Sequence, residues 1–395
     1  MKIYADHAAT TAVSDIAMQA MISCYQDTYG NPSSLHTPGQ RAAEKLETAR
    51  AIFARHLGAF PREITFTSGG SEADNQALRS GAAMGRRKGK KHIISTKFEH
   101  HAILHTLEVL EKEGYEVTLL DIPSDGIVTA EQVSEAIRPD TCLVSVMFAN
   151  NEIGTIQPIA EIGKVCREAG VLFHTDAVQA AGHLPIDVDA MHIDMLSLSA
   201  HKFHGPKGVG VLYARKGIVL ENIIHGGGQE RGKRAGTENL PGICGAAAAF
   251  DTACAEMEKN NCHLTKLRDK LIQGLTEIPH TVLNGDPLNR LPGNVNVCFE
   301  GIEGESLLLL LDEKGIYASS GSACTSGSLD PSHVLLALGR PHEVAHGSLR
   351  LSLGAENTEE EVEYILRVVP EVVQYLREIS PVWDALEKGE RPHLI

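Results

Sequence analysis

Four short segments hold residue types that could do chemistry together. The first, Ser197-Leu198-Ser199-Ala200-His201-Lys202-Phe203-His204-Gly205-Pro206-Lys207-Gly208, sets a lysine in the turn where an apolar strand ends. A turn lysine is ordinarily solvated. This one lies among imidazoles at the carboxyl end of a strand, where open α/β sheets bind ligands. A lysine held there can form a Schiff base with a carbonyl cofactor. The second segment, Val171-Leu172-Phe173-His174-Thr175-Asp176-Ala177-Val178-Gln179, closes an apolar strand with an aspartate. Asp176 could cap the next helix. Beside a strand-end lysine, the better reading is a carboxylate that holds the protonated ring nitrogen of pyridoxal phosphate.

The third segment is Ser68-Gly69-Gly70-Ser71-Glu72, between a strand and a helix. Free N–H groups at a helix start bind phosphate, and glycine lets the anion come close. The P-loop pattern GxxxxGK[ST] is absent. A second glycine-rich run, 226–237, adds Arg231, Lys233 and Arg234, and is either a surface loop or the completion of an anion site. The fourth segment, Ser319 to Ser328, places Cys324 among small residues with no apolar neighbour to bury it. A thiol in such a run is a candidate nucleophile.

One motif points elsewhere. His342-Glu343-Val344-Ala345-His346 matches the HExxH zinc helix. Pro341 and Gly347 bracket it and no third ligand follows at the usual spacing, so no intrinsic metal is expected. His101 and His105 share the four-residue spacing, which surface and core histidines show more often than metal ligands.

Alternating helices and strands must position these segments. Apolar spacing predicts helices over 16–25, 39–57, from Glu72 onward, 101–113, 129–137 and 159–169. Strands are predicted over 63–67, 92–96, 117–120, 143–148, 171–174, 195–199 and 208–213. The result is an α/β fold with a mostly parallel sheet and helices on both faces. Near Pro241 the pattern changes to a long helix over 240–275. Strands near 294–299 and 316–319 and helices near 305–314, 332–338 and 358–376 follow. The boundary falls at 255–265, giving a large unit over 15–258 and a small α+β unit from 1–14 and 259–395.

Composition excludes other classes. The 395 residues carry 36 basic against 51 acidic side chains, a net charge of −15. That argues against nucleic acid and against anionic membranes. Eight scattered cysteines without a CxxC pair make neither a disulfide scaffold nor a zinc knuckle. The first residues show no signal-peptide core, and no apolar run approaches the roughly 20 residues a bilayer needs. A reducing cytoplasm is the expected home.

The four segments, in this order, resemble the class V aminotransferase-like family, and more closely its cysteine desulfurases of the NifS/IscS type. Tyr4 to Thr11, Gly30 to His36, Asn150-Asn151-Glu152-Ile153-Gly154 and Arg350-Leu351-Ser352-Leu353-Gly354 extend the resemblance over nearly the whole chain. It implies a fold type I pyridoxal phosphate enzyme that takes sulfur from L-cysteine and leaves alanine. Lys202 would carry the cofactor, Asp176 would pair with its ring nitrogen, Gln179 would contact the ring hydroxyl and His100 would lie over the ring and shuttle protons. Gly70, Ser71, Ser199 and His201 would bind the phosphate, joined by Thr237 from the second subunit of a homodimer. Asn151 would support ring or substrate, and Arg350 would clamp the substrate carboxylate. Cys324 would carry the sulfur as a persulfide, and is the one residue that could touch a transient iron–sulfur cluster.

Ser71 stands where some relatives have threonine, and both supply a hydroxyl. The stretch after Asn151 and the run Ser380-Pro381-Val382-Trp383 look more like the nitrogen-fixation branch. The chain ends at Ile395 without the longer tail that housekeeping relatives use on scaffold proteins, which leaves the sulfur acceptor open between an iron–sulfur scaffold and another protein. Two alternatives remain at this level: a selenocysteine lyase on the same fold, and a non-enzymatic sulfur or iron–sulfur carrier.

Overall fold

A computed structural model of the chain describes residues 1–321 and 331–395. The chain opens with β1 (Ile3–Tyr4), α1 (Asp15–Asp27) and α2 (Thr37–Leu57). An alternating run follows: β2 (Ile64–Thr67), α3 (Gly70–Arg86), β3 (His92–Thr96), α4 (His101–Lys112), β4 (Glu116–Leu120), α5 (Ala130–Ala136), β5 (Thr141–Ser145), α6 (Ile159–Ala169), β6 (Leu172–Asp176), β7 (Met195–Ser199) and β8 (Gly210–Ala214). Then come α7 (Leu240–Thr276), β9 (Thr281–Leu283), β10 (Asn294–Phe299), α8 (Gly304–Glu313) and β11 (Ile316–Tyr317). After the break lie α9 (His333–Ala337), α10 (His342–His346), β12 (Ser348–Ser352), α11 (Glu359–Glu378) and α12 (Pro381–Glu387).

Seven strands form the central sheet in the order β2-β8-β7-β6-β5-β3-β4. Only β8 runs against its neighbours; the other pairs are parallel. Because β8 opposes both β2 and β7, those two point the same way. The turns after β2, β3, β5, β6 and β7 therefore open on one edge of the sheet, the place where such sheets bind ligands.

Covering helices explain the unbroken apolar strands. Alternate residues of a strand face opposite sides. Ile94, Val144 and Leu198 pack with Leu46 and Phe53 of α2, Ile162 of α6 and Phe250 of α7. Ile93, Leu143 and Met195 pack on the other face with Leu78 of α3 and Leu107 of α4. The edge strand β4 is only part-buried.

A second core gathers Leu267 and Leu271 of α7, Val297 of β10, Leu311 of α8, Leu351 of β12 and Ile365 of α11. Its sheet is antiparallel, in the order β12-β10-β9. Ile3 and Ala5 also lie in this core, and β1 pairs in parallel with β11. The expected boundary at 255–265 lies inside α7, which runs without interruption from the first core to the second.

Several expected elements shift at their ends. The strand expected to reach Phe148 ends at Ser145, where its pairing with β3 has ended; Val146 and Phe148 still donate to His174 and Asp176 of β6. The strand expected over 316–319 stops at Tyr317. The helix expected from Glu72 starts at Gly70, so the glycine and Ser71 form its first turn.

Candidate active site

Lys202 ends the single 3-10 turn that follows β7. Buried Phe203 anchors that turn beneath it, and Gly205 N–H closes it on the Ala200 carbonyl at 2.9 Å. Lys202 Nζ donates to the carbonyls of Ala8 at 2.6 Å and Ala9 at 2.7 Å. Thr11 binds the His201 carbonyl through both its N–H and its hydroxyl, and His201 Nδ1 meets Thr10 Oγ1 at 3.1 Å. The segment between β1 and α1 is thus strapped across the lysine turn. Its sequence carries the resemblance, but nothing in it announces a role for two backbone carbonyls.

Asp176 closes β6 and is 5% exposed. Its Oδ1 accepts from Val178 N–H at 2.9 Å, a local cap of the kind aspartate makes. Burial pushes its carboxyl up to about 6, against the pull of Val178 N–H and Lys202. Gln179 Nε2 donates to the Ala8 carbonyl at 2.9 Å. Behind Asp176 lies a residue the sequence reading passed over. Asp74 of α3 is fully buried, and its carboxyl is raised well above the usual range by burial and by Asp176. His174 Nε2 lies 3.7 Å from Asp74 Oδ1 and 3.0 Å from Ser197 Oγ, and burial pulls that imidazole down to about 3.

The start of α3 has Gly69 at its cap, with no side chain to accept from the first-turn N–H groups. A Cβ on Gly70 would come within 2.7 Å of Val178 Cγ2, so any larger residue there must displace the Val178 side chain beside Asp176. Ser71, Ser199 and His201 border the same space. The glycine-rich run 226–237 does not add free cations to it. Arg231 pairs with Glu47 at 3.0 Å, Arg234 pairs with Glu72 at 2.9 Å, and Lys233 Nζ bonds the Arg62 carbonyl at 3.3 Å. Thr237 is exposed and lines no part of this cavity.

The facing wall carries His100, Asn151 and Arg350. His100 is the cap of α4, its Nδ1 accepting from Ala102 N–H at 3.1 Å. That bond leaves the neutral ring's proton on Nε2. Burial first, then Lys202 and three neighbouring imidazoles, pull His100 down to about 4. It is therefore neutral at pH 7 rather than titrating near neutrality, as its type alone suggested. Asn150 Oδ1 accepts from Glu152 and Ile153 N–H and so folds the turn that presents Asn151. Arg350, 1% exposed, binds Asp6 at 2.8 Å and the Asn151 carbonyl at 3.1 Å.

Gly70, Ser71, His100, Asn151, Asp176, Gln179, Ser199, His201, Lys202 and Arg350 all border one cavity of about 430 Å³. Sequence reasoning named each of them. It gave no site role to Asp74, Met147, Glu152 or His333, which border it too. Cys324 lies outside the described residues. The two HExxH imidazoles, His342 and His346, lie edge-to-face 4.6 Å apart on the one-turn α10 and do not border this cavity.

An amine, a buried carboxylate and an uncapped helix start around one space match the three ends of pyridoxal phosphate: aldehyde, ring nitrogen and phosphate. The residues present fit that group. The match extends to known proteins. The family model of class-V aminotransferases covers residues 3–365. A cysteine desulfurase IscS of Methanosarcina thermophila is 56% identical over 380 residues, 96% of this chain and 94% of that protein. One from Clostridium botulinum is 54% identical over 98% of both chains. A solved NifS-like protein superimposes with a TM-score of 0.89 at 41% identity, covering 95% of this chain and all of that one. On fold, site and sequence together, the chain belongs to the class-V aminotransferase family.

Proposed function

We propose that the protein is a pyridoxal 5′-phosphate-dependent cysteine desulfurase, taking sulfur from L-cysteine and leaving L-alanine. The observation that carries this is the shared cavity: Lys202, Asp176 and Arg350, from three distant parts of the chain, border one space. Lys202 would hold the cofactor covalently, with Asp176 against the ring nitrogen, Gln179 and Asn151 toward the ring hydroxyl, and Gly70, Ser71, Ser199 and His201 around the phosphate. Bound there, the cofactor supplies a sink for the electron pair left when a bond to the substrate Cα breaks.

The chain's residues do the rest. Arg350 orients the substrate through its carboxylate, a task its planar fork suits. Lys202 Nζ takes the Cα proton. Neutral His100, with Nδ1 held by Ala102 N–H, gives up the Nε2 proton and takes it back at the same atom. The Cys324 thiolate attacks the substrate sulfur: the S–S bond forms as the Cβ–S bond breaks, and the persulfide stays on Cys324. The carbon fragment takes up a proton and departs as alanine. Thr237 would serve the cavity of a partner in a homodimer. An iron–sulfur scaffold or another sulfur acceptor would receive the sulfur. The same reading treats 15–258 as the cofactor-binding unit and 1–14 with 259–395 as the unit carrying Cys324. It places the protein in a reducing cytoplasm, where a persulfide carrier escapes capture in a disulfide. Among the described residues, no helix is long and apolar enough to cross a membrane.

The test follows the absorbance spectrum of the purified protein on addition of L-cysteine, with alanine and sulfide assayed together. Cys324→Ser should keep the cofactor's visible band while sulfide release stops. Unchanged sulfide release by that variant would end the persulfide role, and a faster turnover of selenocysteine in competition would redirect the assignment to a lyase for that substrate.

A further inference from the structure

Away from the cavity, three side chains converge where the residues after α12 lie against the antiparallel sheet. Glu300 follows β10 and is 3% exposed. Two imidazoles point Nδ1 at one of its oxygens: His393 lies 2.8 Å and His280 3.3 Å from Glu300 Oε2. The two rings stack with centroids 3.8 Å apart and planes 21° apart, so binding one ion in both ring planes requires the more exposed His393 ring to turn. All three ligand atoms lie within 4.8 Å of one another. The other oxygen, Oε1, accepts from Leu394 N–H at 2.6 Å and fixes the carboxylate. A main-chain oxygen of Ile395 stands 2.9 Å from His280 Nδ1 and offers a fourth donor. His280 holds a φ of 54°, a conformation unfavourable for a residue with a Cβ, and Trp383 packs edge-on against both rings.

The spacing suits a small divalent ion. Bonds of about 2.0–2.2 Å to nitrogen and oxygen give donor–donor edges of about 3.3 Å in a tetrahedron. The 3.3 Å from Glu300 Oε2 to His280 Nδ1 matches that edge, and the 2.8 Å to His393 Nδ1 is a hydrogen bond that opens slightly to admit the ion. Two imidazoles and a carboxylate are also the donor set that zinc-like ions prefer. Arg377 is the neighbouring cation. Its donors are committed to the carbonyls of Pro279, His280 and Glu300, and its plane covers Trp383 at 4.0 Å. The Glu300 carboxylate therefore remains available to an ion.

We propose that His280, Glu300 and His393 form a binding site for a first-row divalent cation of the zinc type. The ion fastens the segment after α12 onto the β9–β10 side of the second core. Each imidazole binds through Nδ1 and keeps its proton on Nε2. The site is separate from the cofactor cavity and does not depend on the reaction proposed for it.

Zinc is titrated by calorimetry into chelator-treated holoenzyme carrying Cys324→Ser, which removes that thiol as a rival ligand. One equivalent should bind. His393→Ala and His280→Gln should each weaken it by roughly tenfold or more, with the cofactor spectrum unchanged. Zinc should also raise the melting temperature of the parent and not of either variant. Should His280→Gln fail to fold, His393→Ala decides alone, because that residue lies near the exposed end. A parent that takes up no zinc, or an equivalent that survives in His393→Ala, would overturn the site and leave a hydrogen-bonded carboxylate–imidazole cluster in its place.

Discussion

Arg350 of β12 and Asp6, which follows β1, form an ion pair at 2.8 Å across 344 residues of chain, at the cavity wall. The guanidinium also bonds the Asn151 carbonyl, and its Nε has no partner among the described residues. The residue proposed to clamp the substrate carboxylate is thus already oriented by an acid. Asp6 is a positioning residue in this arrangement.

Asp6→Ala should therefore raise KM for cysteine with little change in kcat. Losing a charge-assisted bond of about 1.5–3 kcal/mol corresponds to roughly ten- to hundredfold. Asp6→Asn keeps an acceptor for Arg350 and should restore most of the loss. Steady-state kinetics of the pair check this; a fall in kcat alone would contradict it.

Lys202→Ala should abolish the visible band of the bound cofactor and all turnover, while the fold survives. Its amine bonds two carbonyls at a part-buried site, so far-ultraviolet circular dichroism should be unchanged.

His100 is pulled down to about 4 by burial and by Lys202. The acid limb of kcat/KM should accordingly show no inflection near 6.5 assignable to His100. His100→Ala should lower kcat by about 10²-fold if the ring transfers protons. The same change removes the cap of α4 and should cost about 1 kcal/mol of stability, read from denaturant unfolding.

Glu99 is fully buried, and burial pushes its carboxyl up to about 8, opposed by bonds from Met147 N–H and the Thr96 hydroxyl. The folded state then keeps a proton that the unfolded chain releases near 4.5. Stability from this group is present at low pH and is lost as pH rises toward 8. Between pH 6.5 and 8 the parent should lose on the order of 1 kcal/mol relative to Glu99→Gln, which cannot titrate. Unfolding midpoints of the two proteins at the two pH values give the difference directly.

Gly70→Ala should weaken cofactor binding by tenfold or more. The new Cβ would meet Val178 Cγ2 at 2.7 Å and displace the side chain of Val178, whose N–H holds Asp176. Equilibrium dialysis against pyridoxal phosphate reads the effect. A stability loss with unchanged affinity would place the strain elsewhere.

Much of this was legible in the amino-acid order because it is local. A lysine after one apolar strand, an aspartate at the end of another and glycines before a helix are short-range patterns, and the helix–strand alternation dictates that such ends share one edge of a sheet. Strand ends were less legible. The end of β5 follows the end of its pairing with β3, at Ile94 and Val144, and that is a tertiary fact.

What only the folded chain decided is contact between distant parts and the electrostatics that burial creates. The Ala8 and Ala9 carbonyls that hold Lys202 have no side-chain signature, since every residue carries that group. Asp6 meets Arg350, and Asp74 comes up behind Asp176, because the residues after β1 are strapped to β12 and α3 lies under the sheet. His100 reads as a neutral-pH titrator from its type alone, and becomes a group near 4 only once water is removed from around it. Residue order fixed which groups could react; packing fixed which of them meet, and in which protonation state.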